Sequence, residues 1–234
     1  MNYTFRKGVH MHMRMRRKKH REDRLENCSD IIIDNIMDYS KDINAVFNGS
    51  EKPLRLEIGC GKGKFITETA MKNPDINFIA IEKNLDVLVL AAEKVKNAGL
   101  TNVRFVPGDA NALREFETKS RCEVLYINFC DPWSKNGYRK RRLTHSNYLA
   151  IWEKLLTPTG EIHFKTDNKG LFEFSLNSFS DYDMKLKNIT LDLHASDFVG
   201  NVMTEYETLF SQKGNPIYRC EAQYRPGTAS CKSE

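Results

Sequence analysis

Five short apolar runs, at residues 54–58, 77–81, 103–106, 123–127 and 161–166, alternate with stretches of helical periodicity, and this alternation most constrains the fold. The helical stretches cover 64–71, 85–98 and 144–156. Asn73-Pro74, Gly99, and Pro158 with Gly160 supply their stop signals. Strands and helices that alternate along a chain pack as a mostly parallel, Rossmann-like sheet with helices on both faces, an α/β architecture. Two later β signals, at 184–193 and 217–224, are expected to add an antiparallel C-terminal hairpin.

At 234 residues the chain suits one large domain better than two and can bury a full core. The expected organisation is a basic arm over 1–24, a single domain over 25–224 and a polar tail over 225–234. No apolar run follows the basic N-terminus, so neither a leader peptide nor a membrane span is expected. Six cysteines occur without a C-x-x-C pair, which favours reduced thiols over disulfides or a metal site. A cytoplasmic location and no metal are therefore expected. The oligomeric state is left as monomer or homodimer.

Charge is unevenly placed. Residues 6–24 hold nine Lys or Arg against Glu22 and Asp23, and residues 135–142 hold five with no acid. The rest of the chain is net acidic. Two cationic patches on an acidic body favour local phosphate contact over a generally basic surface. The N-terminal patch alone reads equally as a solvated tail.

The first run leads into Glu57-Ile-Gly59-Cys-Gly61-Lys-Gly63, which opens the first long helix. Glycines there let the backbone turn sharply and approach a ligand. Dinucleotide sites space their glycines G-x-G-x-x-G so that pyrophosphate rests on the helix N-terminus. Here the spacing is G-x-G-x-G behind an acid. A carboxylate repels pyrophosphate and can hold a cationic amino-acid moiety, which favours S-adenosyl-L-methionine over NAD. Glu82 ends the second run, where an acid can accept hydrogen bonds from ribose hydroxyls. Asp109 follows the third, where it can meet an adenine amino group. A strand-end acid is also a common helix cap, but with Asp131 after the fourth run all four strands close on acids along one edge. The expected cofactor contacts are Glu57, Gly59, Gly61, Glu82, Lys83, Asp109, Ala110, Asn128 and Asp131.

The fourth run continues into Asn128-Phe-Cys-Asp-Pro-Trp133 and then a basic ramp of Lys135, Arg139, Lys140, Arg141 and Arg142. Open α/β sheets bind ligands at the carboxyl ends of their strands. An acidic, aromatic pocket beside a basic ramp points to chemistry on a base within a polyanion. Gly137, Tyr138, Arg139, Lys140, Arg141 and Arg142 are the expected RNA contacts, and the run also reads as the start of a helix.

Taken together, these residues resemble the bacterial tRNA (guanine-N7)-methyltransferase family. The resemblance rests on 57–63, Glu82, Asp109, 128–133, Lys140-Arg-Arg-Leu143, His163-Phe-Lys-Thr-Asp-Asn168 and Thr204-Glu-Tyr-Glu207, and it spans roughly residues 53–224. It implies a class I methyltransferase fold and methyl transfer to a guanine in the tRNA variable loop. It also implies substrate contacts at Lys135, Asp167, Thr204, Glu205, Tyr206 and Glu207. The family's usual Arg-His pair after the motif lysine is here Gly137-Tyr138.

Guanine N7 offers an in-plane lone pair and carries no proton, so its methylation needs alignment and charge stabilisation rather than a general base. Asp131 is the expected catalytic carboxylate, with Asp167 beside it. Phe129 and Trp133 are candidates for base stacking or plain core aromatics. Two alternatives stand beside this reading. One is an amino methyltransferase acting on adenine or cytosine, whose strand-four motif would read Asp-Pro-Pro-Tyr. The other is a noncatalytic RNA-binding module that kept the fold.

Overall fold

The computed structural model describes residues 19–225. Seven strands form one sheet in the order β3-β2-β1-β4-β5-β7-β6. They are β1 (Leu54–Ile58), β2 (Asn77–Glu82), β3 (Val103–Pro107), β4 (Cys122–Asn128), β5 (Leu156–Thr166), β6 (Lys185–Thr190) and β7 (Tyr218–Gln223). The first five pair in parallel, and β7 runs antiparallel to both β5 and β6. The expected C-terminal hairpin is thus present, with its second strand inserted between β5 and the first.

Helices α2 (Lys64–Lys72) and α3 (Leu85–Asn97) cover one face, and α4 (Ser146–Leu155) and α5 (Lys169–Asp181) the other. The period of two in the strands sorts side chains between these layers. Phe78 and Ala80 belong to the core layer of Phe65, Ile66, Leu88 and Ala91, while Ile79 and Ile81 belong to the opposite layer, which holds Trp152, Leu155 and Phe172. Trp152 is fully buried and donates its indole N–H to Leu143 O at 2.9 Å. In β1, Leu54, Leu56 and Ile58 supply the α4/α5 core, whereas the alternate positions are the polar Arg55 and Glu57. A polar face on a central strand needs partners, and Arg55 Nη1 finds Tyr126 Oη at 3.0 Å.

Gly63 joins the loop after β1 to α2. Its φ is 80°, and a Cβ there would lie 2.6 Å from Ala91 Cβ on α3, so any side chain would force the two helices apart. On the same face, α1 (Arg21–Glu26) leans on α3 through a paired contact of Arg24 Nε and Nη2 with Glu93, 2.6 Å each. Residues 1–18 of the expected basic arm lie outside the described residues. Among the described residues no helix is long and apolar enough to cross a membrane.

Two further helices, α5 and α6 (Glu205–Ser211), had no clear signal in the sequence. α5 contains Ser175, Asn177, Ser178 and Ser180, yet Ser175 is fully buried because its hydroxyl meets Thr144 Oγ1 at 2.7 Å and donates to Leu171 O. Strand β5 begins directly at the end of α4, so Pro158 and Gly160 lie in its irregular first half rather than in a loop before it.

The strand order places the polarity change between β1 and β4. The chain winds outward from β1 through β2 to β3, then crosses back to place β4 on the other side of β1. Loops diverge at this point and leave a crevice at the carboxyl ends of the strands.

Candidate active site

The crevice is a cavity of about 650 Å³. Seven of the nine expected cofactor residues line it: Gly59, Glu82, Lys83, Asp109, Ala110, Asn128 and Asp131. Glu57 and Gly61 are outside this lining, but each is hydrogen-bonded to a residue in it, Glu57 to Asn128 and Gly61 to Glu82. A larger cavity of about 1080 Å³ opens between α4 and α5, but no strand-end acid lines it. The strand-end acids thus gather at the smaller one.

Glu57 is 1% exposed, and its Oε1 accepts from Asn128 Nδ2 at 3.0 Å. Its Oε2 is buried without a hydrogen-bond partner. Burial pushes the carboxyl from its usual 4.5 up to about 8, against the opposing pull of Asn128 and of the Lys165 charge. A buried carboxyl with an unpartnered oxygen near a ligand cavity is suited to a cationic ligand group, whose charge would favour its ionised form.

Glu82 is an internal brace of the crevice. Its Oε2 accepts from Gly61 N at 3.0 Å and its Oε1 from Asn84 N at 2.8 Å, which braces the glycine loop from the end of β2. An ionised carboxylate has about four acceptor sites, so two remain for ligand hydroxyls. Asp109 caps a single 3-10 turn through Asn111 N at 2.7 Å, which uses one oxygen of the carboxylate. Asp131 faces Lys83 Nζ at 3.4 Å across the cavity mouth.

The loop after β4 is strained. Phe129 and Trp133 both adopt left-handed backbone, with φ of 53° and 43°. Such conformations cost of order 1 kcal/mol or more each and persist only where the surroundings impose them. Phe129 N donates to Lys165 O at 2.8 Å, which extends the β4–β5 pairing past the end of β4. Trp133 meets Tyr138 edge-on, and the Arg141 guanidinium lies 4.9 and 4.8 Å from the two ring centroids. Lys140, Arg141, Phe129 and Trp133 all line the cavity.

Residues Asn136–Arg141 form a 3-10 turn, which splits the basic ramp. Arg139, Lys140 and Arg141 are exposed. Arg142, expected among the RNA contacts, points inward: it is 7% exposed and donates to Pro132 O and Trp133 O at 3.0 and 3.1 Å. Its guanidinium also covers the Phe174 ring at 4.4 Å. It fastens the strained loop to α5 and is not available to solvent phosphates. Gly137 and Tyr138 occupy the outer side of the turn, and Lys135 precedes it.

The remaining expected residues converge through α6. Thr204 caps this helix, accepting from Glu207 N at 2.9 Å. Tyr206 donates to Asp167 Oδ2 at 3.1 Å and packs between Phe129 and Phe210, with centroids 5.1 and 4.1 Å away. Glu205 accepts from Lys64 N at the N-terminus of α2 at 3.2 Å and from Lys94 Nζ at 2.5 Å. A carboxylate of the protein therefore fills the helix N-terminus where a dinucleotide site would seat pyrophosphate. Glu207 is fully buried, and Lys165 Nζ donates to its Oε2 at 2.7 Å.

Residues 51–220 match a family described as "Putative methyltransferase". The chain is 48% identical to a tRNA (guanine-N(7)-)-methyltransferase from Bacillus velezensis, over 91% of this chain and 98% of that protein. It is 47% identical to the protein of the same name from Bacillus subtilis, over 91% of this chain and all of that one. The chain belongs to the tRNA (guanine-N7)-methyltransferase family. It is an enzyme of the methyltransferase class. The 16S rRNA methyltransferase KamB superposes with a TM-score of 0.57 over 77% of this chain and 91% of its own, at 13% identity. An antibiotic-related methyltransferase does so with a TM-score of 0.55 over 77% and 92%, at 15% identity. At such identities these two matches speak for the fold alone.

In this methyltransferase three residues near the site are given no role by the sequence, although Lys165 lies within the 163–168 motif. Lys165 sits near the end of β5, where its strand alternates polar Glu161 and His163 with apolar Ile162 and Phe164, Asn201 lies in an irregular segment, and Lys94 is on α3. Each is tied to α6: Lys165 and Asn201 to Glu207, Lys94 to Glu205. Their partners are 6 to 111 residues away along the chain, so no local pattern marks them. One grouping among the described residues has metal-like geometry: Glu161, His163 and Glu221. Lys187 Nζ already holds Glu161 at 2.5 Å, and Arg219 holds Glu221. The group therefore reads as an ion-pair network.

Proposed function

We propose that this enzyme transfers the methyl group of S-adenosyl-L-methionine to N7 of a guanine in the variable loop of tRNA, forming 7-methylguanosine. The observation that carries the reading is the crevice between β1 and β4, where Glu82, Asp109, Asn128 and Asp131 converge beside the exposed Lys140 and Arg141. When bound there, the donor supplies an electrophilic methyl on a positively charged sulfur. Glu82 accepts hydrogen bonds from its ribose, and Asp109 with Ala110 frames its adenine. Glu57, held through Asn128, is matched to its cationic amino-acid end, a reading supported by its unpartnered buried oxygen.

Guanine N7 has no proton to lose, so the site needs no general base. Its residues align the base and stabilise the positive charge that arrives on it. Asp131, three residues past the end of β4, is the carboxylate assigned to that charge. The wall built from Phe129, Tyr206 and Asp167 presents aromatic faces and a carboxylate to a guanine. Lys135, Arg139, Lys140 and Arg141 engage phosphates, while Thr204 and the first turn of α6 close the base pocket. With tRNA as substrate, a cytoplasmic site of action belongs to the same proposal.

The test is incubation with unmodified tRNA and methyl-labelled donor, followed by nucleoside mass analysis. Label in 7-methylguanosine is the expected result. Label confined to methyladenosine or methylcytidine, or no transfer by folded, donor-bound enzyme, overturns the proposal.

A further inference from the structure

The structure assigns Lys165 a positioning role: through Glu207 it locks α6, the segment facing the acceptor base, to the end of the sheet that carries the donor pocket. This inference rests on the methyl-transfer reading above.

Lys165 lies on β5 opposite Asn128 of β4, the residue that holds Glu57. It is 5% exposed, and Glu207 is fully buried. A lysine ammonium has three protons to donate, and here they meet Glu207 Oε2 at 2.7 Å, Val202 O at 2.9 Å and Asn201 Oδ1 at 3.1 Å. The ammonium also stands 5.2 and 6.0 Å from the ring centroids of Phe65 and Phe129. The main-chain oxygen of the same residue accepts from Phe129 N. One residue thus touches the strained loop, the segment at 201–202 and the acceptor helix together.

The chemistry of the pair makes the link stiff. Removing one member of a buried ion pair leaves the other charged and unsatisfied, which is strongly destabilising locally. Glu207 has two further partners, Asn201 Nδ2 at 2.6 Å and His194 Nε2 at 3.3 Å, but neither joins α6 to the sheet. Lys165 does. Tyr206, one residue before Glu207, carries the contact with Asp167 and Phe129, so the position of the base wall follows from that of Glu207. Lys165 touches no reacting atom and acts only through the groups it holds.

The experiment compares Lys165→Met, Glu207→Gln and the double variant in the full chain. Hydrogen exchange over Glu205–Ser211 should speed about tenfold or more in Lys165→Met while β1 and β2 keep their protection. With donor and tRNA both saturating, kcat should fall at least about tenfold, and donor Kd measured by calorimetry should change less than about threefold. In the double variant the kcat loss should be no greater than in the worse single variant, because the two residues act as one unit. Unchanged exchange in α6, normal kcat at saturation despite a lowered Tm, or losses that multiply would each overturn the role. Should Lys165→Met fail to fold, faster α6 exchange in Glu207→Gln supports the link, and native exchange there refutes it. If the wild-type enzyme forms no 7-methylguanosine, the functional reading fails, while the exchange arm still decides the role of Lys165.

Discussion

Replacing Glu57 by glutamine should make the protein more stable than the parent, and increasingly so as pH rises. Glu57 is wholly buried, with one oxygen on Asn128 and the other without a partner. Its carboxyl titrates near 8 in the folded chain against an ordinary 4.5, chiefly because burial disfavours the charge. A folded-state value above the unfolded one means that the stabilising difference is complete below about pH 4.5 and is lost as pH rises through 8. Each tenfold change in proton affinity is about 1.36 kcal/mol, so the whole loss has a ceiling of about 5 kcal/mol. Between pH 5 and pH 7 the unfolded carboxyl ionises and the folded one does not, which costs the parent about 2.5 kcal/mol. Glutamine keeps the shape and an acceptor oxygen for Asn128 and has nothing to ionise. Urea unfolding of donor-free protein at pH 5, 6, 7 and 8 measures the difference between variant and parent. That difference should widen by about 2 kcal/mol or more from pH 5 to 7 and continue to grow toward pH 8. A difference that stays flat, or shrinks, would show that Glu57 is ionised in the folded protein and that its unpartnered oxygen is satisfied by something other than a proton.

Other expectations concern binding and turnover. Glu82→Ala removes the brace on Gly61 and the proposed ribose contact, and should weaken donor binding by about 1.5 to 3 kcal/mol while leaving tRNA affinity largely intact; calorimetry with donor alone decides this. Asp131→Asn should lower kcat about thirtyfold, the equivalent of about 2 kcal/mol in the barrier, and near-normal turnover at saturation would reduce Asp131 to a surface partner of Lys83. Neutralising Arg139 and Lys140 together should reduce the log–log salt slope of tRNA binding by about 0.7 to 0.9 for each lost phosphate contact. An unchanged slope in a stably folded double variant would make the turn a solvated face. Arg142→Ala behaves differently: it frees the carbonyls of Pro132 and Trp133 and exposes Phe174, so its first effect should be a lowered Tm rather than an altered salt slope.

Much of the site is legible in the sequence, because parallel strands all end on one edge of the sheet. Acids that follow such runs then face the same crevice, and Glu82, Asp109 and Asp131 do line one cavity, while Glu57 of the first run is buried behind Asn128. The strand-end acids also serve as local caps and braces, since a carboxylate has acceptor sites enough for both tasks. The basic ramp shows where reading by composition stops. Arg141 and Arg142 are neighbours of identical type, yet one sits over two aromatic rings at the surface and the other is buried under the loop. The direction of each is set by the 3-10 turn, which charge alone does not encode.

What the sequence determined by itself was the alternation of elements, the crevice they create and the acids on its rim, all of which follow from patterns only a few residues long. What tertiary structure alone decided was how α6 is held. The resemblance implied substrate contacts at Glu205 and Glu207, but Glu205 accepts from Lys64 N at the start of α2 and Glu207 is fully buried against Lys165. Lys165, a buried charge near the end of β5, is stable there because Glu207 arrives from 42 residues further along the chain. A buried charge is tolerable only with its partner in place, and that partner is supplied by the fold rather than by neighbours in sequence.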